Sequence, residues 1–145
     1  MLQLDLCGRC LPDYILLATF AQSSNSLPAL NTISLRGACR LSDDGVNSLV
    51  SSAPALTSIN LSQCSLLTYS SIDTIANSLG SILRKLYLDD CQGIDVMLMV
   101  PELKKFEQLE VLSVAGIESV CDEFILEFVS ICGHNMKELI LTDCM

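Results

Sequence analysis

A short pattern of apolar and variable positions recurs along the whole sequence. It reads apolar, two variable residues, apolar, one variable residue, apolar, and its copies start at residues 1, 30, 56, 83, 109 and 136. The intervals between the starts are therefore 29, 26, 27, 26 and 27 residues. Because the last apolar positions alternate, each copy predicts a short β-strand with one buried face. Repetition at this interval predicts stacked units, none of which buries its apolar face alone.

The segment after each predicted strand changes to helical spacing. Apolar residues follow at intervals of three and four, which marks one face of a helix. In the second, third and fifth copies they are Val46, Leu49 and Val50; Ile72, Ile75, Ala76 and Leu79; and Phe124, Ile125, Phe128, Val129 and Cys132. Residues 42–45 and 70–71 carry side chains typical of helix starts, where acids such as Asp43 favour the helix dipole. Pro101 predicts a short or broken helix in the fourth unit.

Cysteines fall on the same period. Cys64, Cys91 and Cys144 each lie three residues after the last apolar strand position, and Ile117 takes that place in the fifth copy. Reduced Cys is small and usually buried, so we expect this position to lie in a buried turn. In the first two copies, the cysteines at positions 10 and 39 lie four residues after the strand, which predicts one extra residue in those turns.

Each unit is thus predicted to be a strand, a turn and a helix. Stacking such units predicts an α/β fold, a right-handed horseshoe segment with parallel strands on its concave side and helices on its convex side. Residues 1–145 are interpreted as a single domain, excerpted from a longer array of such units.

Composition and charge restrict the classes of partner. The net charge is −9, from 17 acids and 8 bases, and the bases are scattered, so we expect no direct binding to nucleic acid. No apolar run approaches the roughly 18 to 20 residues that a membrane span needs, and we expect no membrane association. The amino-terminal residues do not resemble a signal peptide. Eight cysteines in such a chain are expected to be reduced thiols, which favours the nucleus or the cytoplasm.

Catalytic and metal-binding patterns are weak. Cys7 and Cys10 form a Cys-x-x-Cys pair, but no second close pair exists to complete a zinc site. His134 is the single histidine, and Cys132 nearby fits better as the last apolar residue of a helix. Neither a Gly-x-Ser-x-Gly elbow nor a glycine-rich phosphate loop occurs. The chain is therefore expected to be no enzyme and to need no cofactor or metal.

Function is accordingly expected on a surface. Residues between the buried strand positions face away from the core and form three columns. The first contains Gln3, Thr32, Ser58, Lys85, Val111 and Glu138; the second Asp5, Ser34, Asn60, Tyr87, Ser113 and Ile140; the third Cys7, Arg36, Ser62, Asp89, Ala115 and Thr142.

From these columns we select a candidate concave binding surface. Its members are Asp5, Ser34, Arg36, Asn60, Ser62, Lys85, Tyr87, Asp89, Ser113, Glu138 and Ile140. Tyr87 is either a contact for a protein partner, since Tyr is enriched at binding hot spots, or a plain solvated strand residue. Arg36 could pair with an acidic residue of a partner. The convex or lateral side remains an alternative binding site.

The repeat resembles the cysteine-containing leucine-rich repeats of F-box proteins, with residues 30–46 following that pattern and residues 39–43 as the turn. The resemblance covers essentially the whole chain. Residues 4–13 and 35–42 are also similar to the plant members of the Rad-type leucine-rich-repeat family of nucleotide excision repair. Neither an F-box nor a cullin-linking segment is recognisable in the sequence.

The resemblance implies a substrate-recognition module of a cullin-type ubiquitin ligase or of a DNA-repair-associated complex. The implied partners are proteins: a substrate and either a cullin, a Skp-type adaptor or repair subunits. Two alternatives are a leucine-rich-repeat adaptor unrelated to ubiquitin and a non-functional fragment of a longer receptor.

Overall fold

The computed structural model describes residues 2–5 and 27–144 and contains one open, six-stranded parallel sheet. The strands are β1 (Leu2–Asp5), β2 (Leu30–Ser34), β3 (Ser58–Asn60), β4 (Lys85–Tyr87), β5 (Val111–Ser113) and β6 (Glu138–Ile140). Their order in the sheet is their order in the chain, so each strand pairs with its sequence neighbours. The predicted mixed α/β class with parallel strands is confirmed.

Helices connect the strands. They are α1 (Asp43–Ser52), α2 (Tyr69–Leu79), α3 (Val96–Met99), a 3-10 helix (Val100–Lys105) that continues α3, and α4 (Asp122–Cys132). Each packs beside the next one along the chain. The short α3 confirms the prediction from Pro101, since proline lacks the N–H that a continuing α-helix needs.

The core lies between the sheet and the helices. The three apolar positions of the second to fifth units are almost fully buried: Leu30, Ile33, Leu35; Leu56, Ile59, Leu61; Leu83, Leu86, Leu88; and Leu109, Leu112, Val114. In the sixth unit, Met136, Leu139 and Leu141 are only partly buried. The face of the sheet opposite this core is called the open face below.

The turn after β2 differs from its prediction. Ala38, three residues after Leu35, is buried, and its N–H donates to the Leu35 carbonyl at 3.0 Å. Cys64 makes the same bond to Leu61 at 3.2 Å in the next unit. The prediction of an extra residue before Cys39 is therefore wrong: Ala38 is small enough for the buried place, and Cys39 is only half-buried. Cys10 lies outside the described residues.

Two helix predictions also need correction. The cap of α2 is Thr68, whose hydroxyl accepts from the Ser70 N–H at 3.2 Å, so the helix starts before residues 70–71. In α4, Phe124 and Phe128 are buried, whereas Val129 is 53% exposed. Val129 therefore does not belong to the buried face that the sequence predicts for this helix.

Candidate binding face of the sheet

Strand register aligns the predicted columns on the open face. Thr32 pairs with Ser58, Ser58 with Lys85, and Lys85 with Val111. The second column is aligned in the same way from Asp5 to Ile140. Just beyond the strands, the third column is held in line by backbone bonds such as Gly37 N–H to Ser62 O, 2.9 Å. Cys7, its first member, lies outside the described residues, as does the Cys7–Cys10 pair.

The candidate residues differ in their access to solvent. Those that are exposed are Asp5, Arg36, Lys85 and Glu138. Those that are half-buried are Ser34, Asn60, Tyr87, Asp89 and Ile140. Ser62 and Ser113 are buried, with 0% and 1% exposure, so including them in a contact surface was wrong. The four exposed members belong to four different units, which leaves the exposed surface discontinuous.

A hydrogen-bond network explains why the two serines are buried. The Asp89 carboxylate accepts from the Ser113 hydroxyl and from the Ala115 N–H at 2.9 Å. The Ser62 hydroxyl accepts from the Asp89 N–H at 3.1 Å, and the Ser62 N–H donates to Asn60 Oδ1 at 3.0 Å. These side chains satisfy polar groups at the carboxyl ends of β3, β4 and β5, as buried polar groups require. Their role in this part of the sheet is structural.

A groove remains on the open face, near the amino-terminal ends of the strands. It has a volume of ≈ 460 Å³ and is called the Arg84 groove here. Lining residues from the first two columns are Gln3, Thr32, Ser58, Lys85 and Tyr87. Its other lining residues, which lie outside the three predicted columns, are Asn31, Thr57, Arg84 and Glu110. These four occupy the first variable position of the repeat, and their consistently polar character is the signal that could have revealed them.

The groove carries uncompensated positive charge. Arg84 and Lys85 are exposed, and within the described part of the chain neither forms an ion pair. The acid in the lining, Glu110, is already paired with Lys137, with 3.2 Å between Oε1 and Nζ. A second groove of ≈ 330 Å³ shares Thr57 and Arg84, so the depression extends sideways from the first.

The buried thiols are held in their protonated form. The Cys64 thiol donates to the Leu35 carbonyl at 3.3 Å, and the Cys91 thiol donates to the Leu61 carbonyl at 3.0 Å. Burial raises the pKa of Cys64 to about 12 and the pKa of Cys91 to about 11. A thiol of this kind is a poor nucleophile at neutral pH, because the thiolate is the reactive form. Cys64 therefore links the third unit to the second, and Cys91 links the fourth unit to the third.

His134, in the turn after α4, is exposed, whereas Cys132 is buried, and burial raises the pKa of its thiol to about 11. Within residues 2–5 and 27–144, no three His, Cys, Asp or Glu side chains are grouped so as to hold a metal ion. None of the helices in these ranges is long and apolar enough to cross a lipid bilayer. A scan against protein-family models and a search of curated proteins gave no match to this chain.

Proposed function

We propose that this chain is a segment of a cysteine-containing leucine-rich-repeat solenoid, with its strands on the concave side and its helices on the convex side. Three regularities support the proposal. The strands pair in chain order, the thiols of Cys64 and Cys91 bond to the preceding unit, and every described turn after a strand from β2 onward holds a left-handed residue. Stacked units of this kind present extended surfaces for binding.

The chain acts as a non-catalytic scaffold for protein binding. The observation that carries this role is the Arg84 groove, where Arg84, Lys85 and the half-buried Tyr87 meet on the open face. Arg and Tyr, together with Trp, are enriched among the few residues that carry most of the binding energy at protein interfaces. The surrounding polar network, in contrast, is occupied within the protein and serves to position these residues.

In the cell, the scaffold recognises substrates for a cullin-type ubiquitin ligase or for a DNA-repair-associated complex, in the nucleus or the cytoplasm. This part of the proposal rests on two resemblances. Residues 30–46 resemble the repeats of F-box proteins, and residues 4–13 and 35–42 resemble the Rad-type repeat family. A fold hosts many functions, so the resemblance alone does not establish one. The resemblance indicates which partners to look for, and the groove indicates which residues to substitute.

The test is affinity purification with quantitative mass spectrometry, using the full chain as bait. The double variant Tyr87→Ala, Arg84→Ala removes the two anchors of the groove. Tyr69→Ala is the matched control, because Tyr69 is 44% exposed at the start of α2, outside the groove. We expect the double variant to lose a subset of partners, since removing one hot-spot residue costs about 2 kcal/mol or about 30-fold in affinity. The control should retain them.

Two results would contradict the proposal at different levels. Capture of the same partners by wild type and the double variant would show that the groove is not the binding site. The double variant could instead lose partners among which there is no cullin, Skp-type adaptor, ubiquitin-ligase subunit or repair subunit. That result would show that the scaffold binds proteins unrelated to ubiquitin or repair.

A further inference from the structure

We infer that the Arg84 groove binds an acidic peptide segment of a partner protein, with Arg84 and Lys85 contacting its carboxylates. The inference rests on the proposed protein-binding role and specifies the chemistry of the partner. It concerns the groove alone, and it predicts a dependence on charge that a purely apolar interface would lack.

The charge of the groove favours an acidic occupant. The chain carries a net charge of −9, yet two adjacent cations line this groove. Glu110, the acidic lining residue, is paired with Lys137, so it does not cancel the charge of Arg84 or Lys85. A carboxylate entering the groove would meet unpaired donors, and Arg binds carboxylates through two parallel hydrogen bonds. A second acid one or two residues away could reach Lys85.

The uncharged side chains that line the groove favour a peptide backbone as its occupant. Thr32, Thr57 and Ser58 supply small hydroxyl side chains to the lining. Asn31 Oδ1 is buried and has no hydrogen-bond partner, a state that costs stability in the free protein. Rotation of this half-buried side chain toward the groove would let its amide bond a peptide group. Tyr87, half-buried at the same groove, offers a rigid ring for the peptide to pack against.

A protein segment fits these charges better than a nucleic acid does. A nucleic-acid site gathers several Lys and Arg residues to neutralise successive phosphates. Two cations on a strongly acidic chain suffice for one or two carboxylates, whereas a polyanionic backbone would be repelled by the remaining charge. The second groove, which shares Thr57 and Arg84, lengthens the depression and suits a segment rather than a single side chain.

The test measures fluorescence anisotropy of labelled peptides with the full chain. The probes are a peptide of alternating Glu and Ser, its Gln and Ser analogue, and a phosphoserine peptide without Glu. We expect the Glu peptide to bind about tenfold or more tightly than the Gln peptide, with the difference shrinking between about 50 and 200 mM NaCl. The phosphoserine peptide tests the other anionic source.

Substitutions then locate the site. Arg84→Gln and Lys85→Gln should each weaken binding of the Glu peptide about fivefold to tenfold, and Arg84→Lys should restore part of the loss. Lys104→Gln is the matched control: Lys104 is exposed on the 3-10 helix and, within the described residues, forms no ion pair. It removes the same charge elsewhere and should change affinity less than about twofold. All four substitutions are at exposed positions, and circular dichroism checks that each protein is folded.

Three outcomes would overturn the inference. They are equal affinity for the Glu and Gln peptides, binding of the phosphoserine peptide alone, and a loss of affinity with Lys104→Gln as large as the loss with Arg84→Gln or Lys85→Gln. Its failure is distinguishable from failure of the proposed function. If partner capture depends on Tyr87 while the Glu peptide does not bind, the protein-binding face stands and its preference for acids falls. If the Glu peptide binds at Arg84 while partner capture is unaffected by the groove variants, the acidic site stands and the groove loses its proposed role in capturing those partners.

Discussion

One backbone position sets the geometry of every described turn that follows a strand from β2 onward. Two residues after the last apolar strand residue, φ is positive: 81° at Gly37, 63° at Gln63, 57° at Asp90, 72° at Gly116 and 59° at Asp143. In the first four, the N–H donates to a carbonyl of the next unit, for example Gln63 to Asp89 at 2.7 Å. This position therefore combines a left-handed backbone conformation with a hydrogen bond to the next unit.

Substitutions at this position should have opposite effects in two turns. Gln63→Gly should raise the free energy of unfolding by up to about 1 kcal/mol, since a left-handed side chain costs roughly 1–2 kcal/mol and glycine loses part of that gain through the unfolded state. Gly116→Ala should lower it by about 1–2 kcal/mol, because a Cβ there would also meet Asp90 Oδ1. Urea unfolding with an unchanged slope measures both. A Gly116→Ala protein as stable as wild type would contradict this account of the turn.

The Asp43 carboxylate joins the start of α1 to the start of α2. Asp43, in the first turn of α1, accepts from the Thr68 N–H at 3.0 Å, the Thr68 hydroxyl at 2.7 Å and the Ser71 hydroxyl at 2.5 Å. Burial acts to raise the pKa of Asp43, but the hydrogen bonds from Ser71 and Thr68 outweigh it and hold this pKa below the ordinary value of 3.8. The acid that the sequence suggested for the helix dipole therefore also fastens α1 to the cap of α2.

The lowered pKa makes this contact sensitive to acid. A depressed carboxylate stabilises the fold above its unfolded pKa, near 3.8, and the contribution is lost as pH falls through the lower folded value. Asp43→Asn should cost about 1 kcal/mol at neutral pH, since the site is partly exposed and its charge is screened. The variant should also lose less stability than wild type on going below about pH 4. Urea midpoints across this pH range measure the effect.

Asp44→Asn is the control for that experiment, because Asp44 is the adjacent exposed acid of the same helix turn. The Asp44→Asn variant should retain the pH dependence of stability that wild type shows. Identical pH profiles for the Asp43 and Asp44 variants would mean that the Asp43 hydrogen bonds contribute nothing to stability.

On the scale of the molecule, the order and register of the strands could be predicted from the repeat period. The side-chain contacts between units could not be predicted from that period. The period alone predicts that Ile33 and its equivalents lie in the core and that Lys85 lies in the first column of the open face, since alternation and register depend only on spacing. The burial of Ser62 depends on a hydrogen bond to the next unit, which no spacing encodes. Val129 is exposed whereas its equivalents in α1 and α2, Val50 and Ala76, are buried, because a following helix packs against each of those helices.

Burial by neighbouring strands and helices predicts a gradient of stability along the sheet. Leu86 and Leu139 hold the same place in β4 and β6, but Leu86 is 0% exposed between two strands, and Leu139 is only partly buried in an edge strand. Leu86→Ala should therefore cost about 2–5 kcal/mol, and the chemically identical Leu139→Ala less than about 2 kcal/mol. Hydrogen exchange should accordingly be faster in β6 than in β4, because stacked units open from their less buried end. Equal costs for the two substitutions, with equal exchange in both strands, would show that the units unfold as one cooperative block.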